Sequence, residues 1–204
     1  MSKLESIFIG TIIGPVLPIL LFLVGWWSSL FFVTEELVFI FSLTGLGVGC
    51  IIDIVLFGKI MKAYWWKQGV LSMIYLFYTV GFFGFFMGVP IFNLAVGALA
   101  GVFMGRRFYH QGVAKERLQK ASISLAHFSA LIMALVSIAS AYYATKDIRD
   151  TALNLQSMLK LQFLPTNQAI LALIVVGGTG LVLMQYWITK RLTHWAYRIG
   201  NKVT

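Results

Sequence analysis

The sequence predicts an all-α integral membrane protein. It reads as a polytopic bundle of six transmembrane helices, N-in and C-in, with one amphipathic helix on the outer surface between spans five and six. Three observations carry that expectation. Of 204 residues, 59% are hydrophobic and only 11% charged, against roughly 45–50% and about 25% in soluble domains. The apolar residues gather in runs of about twenty, the length that crosses a hydrocarbon core of ~30 Å at ~1.5 Å per residue. Lysines and arginines fall in short bursts between those runs, as topology signals do in membrane proteins.

The first span is expected over residues 7–32, kinked by Pro15 and Pro18 because each removes a backbone donor. It is too long for a signal-peptide core and lacks a small-x-small cleavage site, so it is read as uncleaved. The second span covers 37–57 and the third 70–87. After a tight Gly88-Val89-Pro90 turn the fourth covers 90–105, the fifth 122–144 and the sixth 169–189. Pro90 and Pro165 stand at helix entrances, where a missing N–H costs little. Asn167 is in position to cap the sixth span. Sixteen residues reach only ~24 Å, so the fourth span belongs in thinned bilayer or inside the bundle. No linker or repeat divides the chain, which reads as one membrane domain over 1–204.

Orientation follows from the charges. With six spans and an N-in start, the cytoplasmic set is Lys3, Lys59, Lys62, Lys67, Arg106, Arg107, Lys115, Arg117, Lys120, Lys190, Arg191, Arg198 and Lys202, against Lys146, Arg149 and Lys160 outside. Counting spans three and four as one re-entrant hairpin would put the Arg106–Lys120 cluster opposite the Lys59–Lys67 cluster and weaken that bias. Six spans fit better. Tyr64, Trp65, Trp66, Phe108, Tyr109, Tyr186 and Trp187 stand beside basic residues at span ends, where an interface selects amphipathic rings. Between spans five and six, residues 147–161 repeat Ile148, Ala152, Leu155, Met158 and Leu159 at helical spacing. Asp147 and Asp150 lie at the start and Lys160 at the end, which suits the helix dipole and predicts an amphipathic surface helix.

Water cannot drive helices together in lipid, so small residues must let backbones approach. Gly10 and Gly14 supply such a face on the first span, and Gly45 and Gly49 on the second. Gly81, Gly84 and Gly88 do so on the third, and Gly97, Gly101 and Gly105 on the fourth. On the fifth, His127, Ala130, Ala134, Ser137 and Ala141 form a seam at coiled-coil spacing. These faces serve an intrachain bundle, a homo-oligomer or a membrane-protein partner.

A charge in mid-membrane costs roughly 2.5–3.5 kcal/mol and needs a reason. Asp53 is the one acid inside the six expected spans, on the same helix face as Gly45 and Gly49. His127 and Gln185 lie at similar depth near the inner boundary. Two readings follow: a titratable Asp53–His127 pair with Gln185 as a hydrogen-bonding neighbour, or an Asp53 that ties helix ends to nearby lysines and arginines. Glu35, Glu36, Asn93 and Thr166–Gln168 give the outer half a weaker polar set. No Gly-x-Ser-x-Gly, Cys-x-x-Cys, His-Glu-x-x-His or Walker sequence occurs, and the Glu35-Glu36 pair lacks the arginine and histidines of a CAAX-type membrane protease. No catalytic residue, metal site or cofactor is therefore expected, and Cys50 reads as a small core residue.

In size, span number and orientation the chain is similar to the substrate-binding subunits of energy-coupling vitamin transporters, an architectural likeness that covers no motif. The leading expectation is a small solute-transport component of the plasma or inner membrane, a substrate-binding subunit or minimal permease in contact with lipid and not nucleic acid. The alternative is a non-catalytic scaffold or assembly partner docking through its glycine faces. An enzyme, with only Asp53 and His127 as acid/base groups, ranks third.

Overall fold

The computed structural model describes residues 3–200, so Lys202 of the basic set lies outside the described residues. Within them the chain is helical with no strand, and six helices are long and apolar enough to cross a bilayer. This is the pattern of a multi-pass membrane protein. Mid-helix side chains such as Ile54, Val55 and Val176 stand more than 70% exposed, as on the lipid-facing side of a spanning helix. The chain packs as two units that divide between Phe77 and Tyr78, inside a helix and not at a linker.

In the first unit, α1 (Lys3–Ile13) and α2 (Val16–Ser29) make the first span, and α3 (Glu35–Ile60) the second. The break falls at Gly14-Pro15. Pro15 cannot donate to the Thr11 carbonyl, nor Pro18 to that of Gly14, so two rungs of the helical ladder, three residues apart, are missing. The α2–α3 pair is antiparallel: Gly25 meets the backbone at Phe41 and Ser42, Gly45 meets Leu21, Gly49 meets Pro18, and Gly14 faces Asp53. As one helix advances by about four residues the other retreats by as many. Glu35 and Glu36 occupy the first turn of α3 and Lys59 its last, complementing the helix dipole. A 3-10 turn (Ala63–Trp65) follows, in which Tyr64, expected as an interfacial anchor, is fully buried while Trp65 is exposed.

α4 (Gln68–Phe85) crosses the unit boundary and ends in a glycine cap, with Gly88 N–H donating to the Phe83 carbonyl at 2.8 Å. Gly88 takes φ +80°, a conformation open to glycine at no steric cost. A 3-10 turn (Pro90–Phe92) leads into α5 (Asn93–His110), and Phe92 stacks on Phe86 with ring centroids 3.8 Å apart. Residues 90–110 make a span of about 31 Å. The expected end at Gly105 is too early, because Arg106 and Arg107 continue the helix and the left-handed Gly112 follows it. α5 is also the most enclosed of the six spans.

The second unit adds α6 (Lys115–Lys146), α7 (Ile148–Leu159) and α8 (Asn167–Gly200). α5 and α8 run parallel: Gly97 lies against Gln185, Gly101 against Thr189, Gly105 against Thr193 and Ala196, and Gly200 against the Tyr109 ring. α6 is antiparallel to α8, with Ser129 beside Thr189 and Ser137 beside Gly178. A chain that leaves α5, returns by α6 and re-enters parallel by α8 leaves no crossing for α7. Asp147 caps α7 by accepting from Asp150 N–H at 3.1 Å, and Lys160 closes it at φ 51°. Its inward side holds Ala152, with Met158 and Leu159 exposed. Thr166, not Asn167, caps α8: its hydroxyl accepts from Ala169 N–H at 3.3 Å.

Two seams differ from expectation. The buried line on α6 is Leu118, Ser122, Ala126, Ser129, Ala130 and Met133, so the seam is rotated by about one residue and His127 is exposed. Gly81 and Gly84 meet nothing that a Cβ would touch, because α5 spends its glycine face on α8 and not on the adjacent α4.

Glycines of one helix therefore carry different loads. Gly45→Ala and Gly49→Ala each press a methyl into the backbone of the first span and should cost about 1–3 kcal/mol. Gly47→Ala meets open space and should be neutral or gain up to ~1 kcal/mol of helix propensity. Unfolding of the three variants in detergent gives the ranking.

Candidate functional site

Two polar features lie inside the helical packing. The first is Asp53. The i, i+4, i+8 ridge of Gly45, Gly49 and Asp53 faces the first span, and its carboxylate comes opposite the place where that span breaks. The Asp53 Oδ2 atom is 3.9 Å from the point a Gly14 Cβ would occupy. Oδ1 is buried and has no hydrogen-bond partner among the described residues. Asp53 lies seven residues before the end of α3, about 10 Å along the axis. Glu5, the first-turn acid of α1, is buried too, on a line with Ile9 and Ile13. Glu5 precedes the expected start of the first span at Ile7, and the four-residue spacing of Glu5, Ile9 and Ile13 is the signal that joins it to the buried line.

The second feature is a polar spine in the α5–α6–α8 unit. Gln185, Thr189 and Thr193 are fully buried at four-residue steps along α8. The Ser129 hydroxyl donates to Thr189 Oγ1 at 3.0 Å, and Thr189 in turn donates to the Gly97 carbonyl at 3.3 Å. Thr193 donates to the Thr189 carbonyl at 2.7 Å. The Gln185 amide lies directly over Gly97, where any side chain would collide with it. Nearby, buried Asn93 donates from Nδ2 to the Thr79 carbonyl at 2.8 Å. Ser129, Thr189 and Thr193 were not singled out from the sequence. The signal for them was the match between two four-residue ladders, Gly97-Gly101-Gly105 and Gln185-Thr189-Thr193.

The three residues expected to form one polar site take different settings. Asp53 belongs to the first unit. In the second, Gln185 is buried against α5, whereas His127 is exposed on α6 with its ring 5.1 Å from that of Tyr186. Cys50 is exposed on α3. Among the described residues no three His, Cys, Asp or Glu side chains gather in a group able to hold a metal ion.

Charge is polarised in each unit. In the first, Lys3, Lys59 and Lys62 lie at one end of the helices and Glu35 and Glu36 at the other. In the second, Arg106, Arg107, Lys115, Arg117, Lys120, Lys190, Arg191 and Arg198 share the end where the Tyr197 hydroxyl donates to the Val113 carbonyl at 2.7 Å. The far end mixes Lys146, Arg149 and Lys160 with Asp147 and Asp150.

Comparison with protein-family models, with curated proteins and with solved structures finds no match.

The Ser129–Thr189–Gly97 chain makes a separable contribution. Thr189→Val keeps the volume and removes both hydrogen bonds, with an expected loss of about 0.5–2 kcal/mol. Ser129→Ala should couple to it, so the double variant loses less than the two singles combined. A double-mutant cycle on detergent unfolding reads that coupling; strict additivity would mean the two hydroxyls do not interact.

Proposed function

We propose that this chain is a small membrane transport component, a solute-binding subunit or minimal permease. It lies N-in and C-in in the plasma or inner membrane, with Asp53 as its ionisable centre. One observation carries the reading: a carboxylate within the bilayer faces a span that two prolines have broken. Membrane solute and ion sites are built in this manner, from discontinuous helices whose backbone groups are freed from the ladder beside an intramembrane acid. Supporting the orientation, each unit collects its basic residues at one end, as the positive-inside rule asks of the cytoplasmic face. On that orientation α7 lies on the outer side, its apolar face toward the bundle or the lipid surface. Gln185 and His127 are not required partners of Asp53 in this reading.

The alternative is an assembly partner without transport. It is favoured by one feature, the α4 face where Gly81 and Gly84 are open and Val80 and Phe85 stand 69% and 81% exposed. Such a small-residue face suits a helix from another chain.

Native mass spectrometry of gently solubilised protein distinguishes the two. The transport reading expects a small co-purifying solute on the wild type that Asp53→Asn loses while its unfolding temperature stays within a few degrees. If neither protein carries a solute and the substitution alters only thermal stability, the reading fails. A co-purifying second polypeptide would support the assembly role instead.

Orientation has its own test. With Cys50 replaced by serine, a single cysteine in place of Lys160 should react with a membrane-impermeant maleimide in intact cells. One in place of Lys120 should react only after permeabilisation. The reverse labelling would invert the topology.

A further inference from the structure

The second half of α8 has two faces. Gln185, Thr189, Thr193, Ala196 and Gly200 are buried on the side that packs against α5. About half a turn away, at ~100° per residue, Trp187, Arg191 and Arg198 are exposed, with Trp195 at their edge. Together with Lys190 and His194 they line an open groove between side chains of α8 alone, with no acid among its lining residues. The side chains pair cation to ring along the helix: the Arg191 guanidinium lies 5.2 Å from the Trp187 ring centroid, and the Lys190 ammonium 5.8 Å from that of Tyr186. The His194 ring nitrogen Nδ1 is 2.9 Å from the Lys190 carbonyl, which fixes that imidazole beside the groove.

Depth decides what this face meets. At 34 residues α8 is about 51 Å long, some 20 Å more than a hydrocarbon core of ~30 Å. The groove lies where the helix leaves that core, at the basic end of its unit, and it points away from the chain's own packing. Exposed indole rings beside arginine at such a level belong among lipid headgroups. We propose that this outward face of α8 binds the headgroup of an anionic phospholipid. Lys190 and Arg191, beside the Tyr186 and Trp187 rings, hold the phosphate, Arg198 adds its charge about two turns (~10 Å) further out, and Trp187 packs against the glycerol and the upper acyl chain. Arginine suits the task because its planar fork meets phosphate oxygens in pairs. The inference rests on the bilayer placement of α8 and is independent of the transport reading.

The test uses the full chain in detergent, titrated with phosphatidylglycerol or phosphatidylcholine of identical acyl chains and followed by native mass spectrometry. Wild type should retain phosphatidylglycerol at concentrations at least about tenfold lower than phosphatidylcholine, since one basic residue near the surface is worth about fivefold. Exchanging Lys190, Arg191 and Arg198 together for glutamine should bring the two lipids level. The same exchange at Lys115, Arg117 and Lys120, exposed on α6 at the same end, should leave the preference within about twofold. Should the α8 triple variant not fold, Arg191→Gln alone should lose about fivefold. Equal retention of both lipids by wild type, equal losses in the two triple variants, or displacement of phosphatidylglycerol by millimolar inorganic phosphate would each overturn the proposal. The second outcome would indicate diffuse charge, and the third a site for a soluble anion.

Discussion

Helices surrounded by lipid gain nothing by hiding apolar side chains from one another, because the tails outside are as apolar as the neighbours inside. What remains to hold them is contact at close range. In this chain the contact is made where glycine lets one backbone touch another: Gly45 and Gly49 of α3 against the first span, Gly101 and Gly105 of α5 against α8. A single methyl at any of these points would meet the neighbouring backbone and force a local shift. The exposed isoleucines, valines and phenylalanines that cover the outside are then no defect, since they are the surface that lipid requires.

The same device builds two different pairs. In α2–α3 it zips an antiparallel hairpin from neighbouring segments. In α5–α8 it joins parallel helices nearly ninety residues apart, a contact that adjacency in sequence could not have made. The parallel pair needs a third helix to bring the chain back, and α6 does so while adding the Ser129 hydroxyl to the Thr189–Gly97 contact. Hydrogen bonds between helices in lipid are worth only about 0.6 kcal/mol on average. The spine therefore fixes register more than it adds stability: a four-residue slip of α8 would bury the Gln185 amide against Gly101, where the Thr189 backbone now fits.

Much of this was legible in the residues. Span number follows from apolar run length, and the packing faces of α3 and α5 follow from four-residue glycine spacing. The misses have physical causes. Gly81 and Gly84 have the same spacing as the glycines of α5, yet spacing says only that a face is small, not which neighbour reaches it. On α6 small residues are so frequent that two adjacent lines, one through His127 and one through Ala126, score alike; the polar hydroxyls of Ser122 and Ser129 separate them only once Thr189 is opposite. Helix ends ran past their apolar cores because a basic pair such as Arg106-Arg107 marks where lipid stops and not where the backbone stops. Asp53 was placed on the correct ridge by its distance from Gly49. That it would face the proline break required knowing that α2 and α3 pair antiparallel.

The chemistry around Asp53 is one-sided, and this is the strongest constraint on what it does. A carboxylate offers only acceptors. The prolines opposite remove two donors, leaving the Thr11 and Gly14 carbonyls without the N–H groups that a continuous helix would aim at them. The Gly14 level of the first span lies beside Asp53, whose Oδ1 finds no donor among the described residues. In hydrocarbon an unmet acceptor costs several kcal/mol and an unmet charge more. Such a level favours a positive or donating group beside the carboxylate, the simplest being a proton or a water molecule. On the transport reading proposed above, the break and the acid together favour a guest that donates hydrogen bonds or carries positive charge.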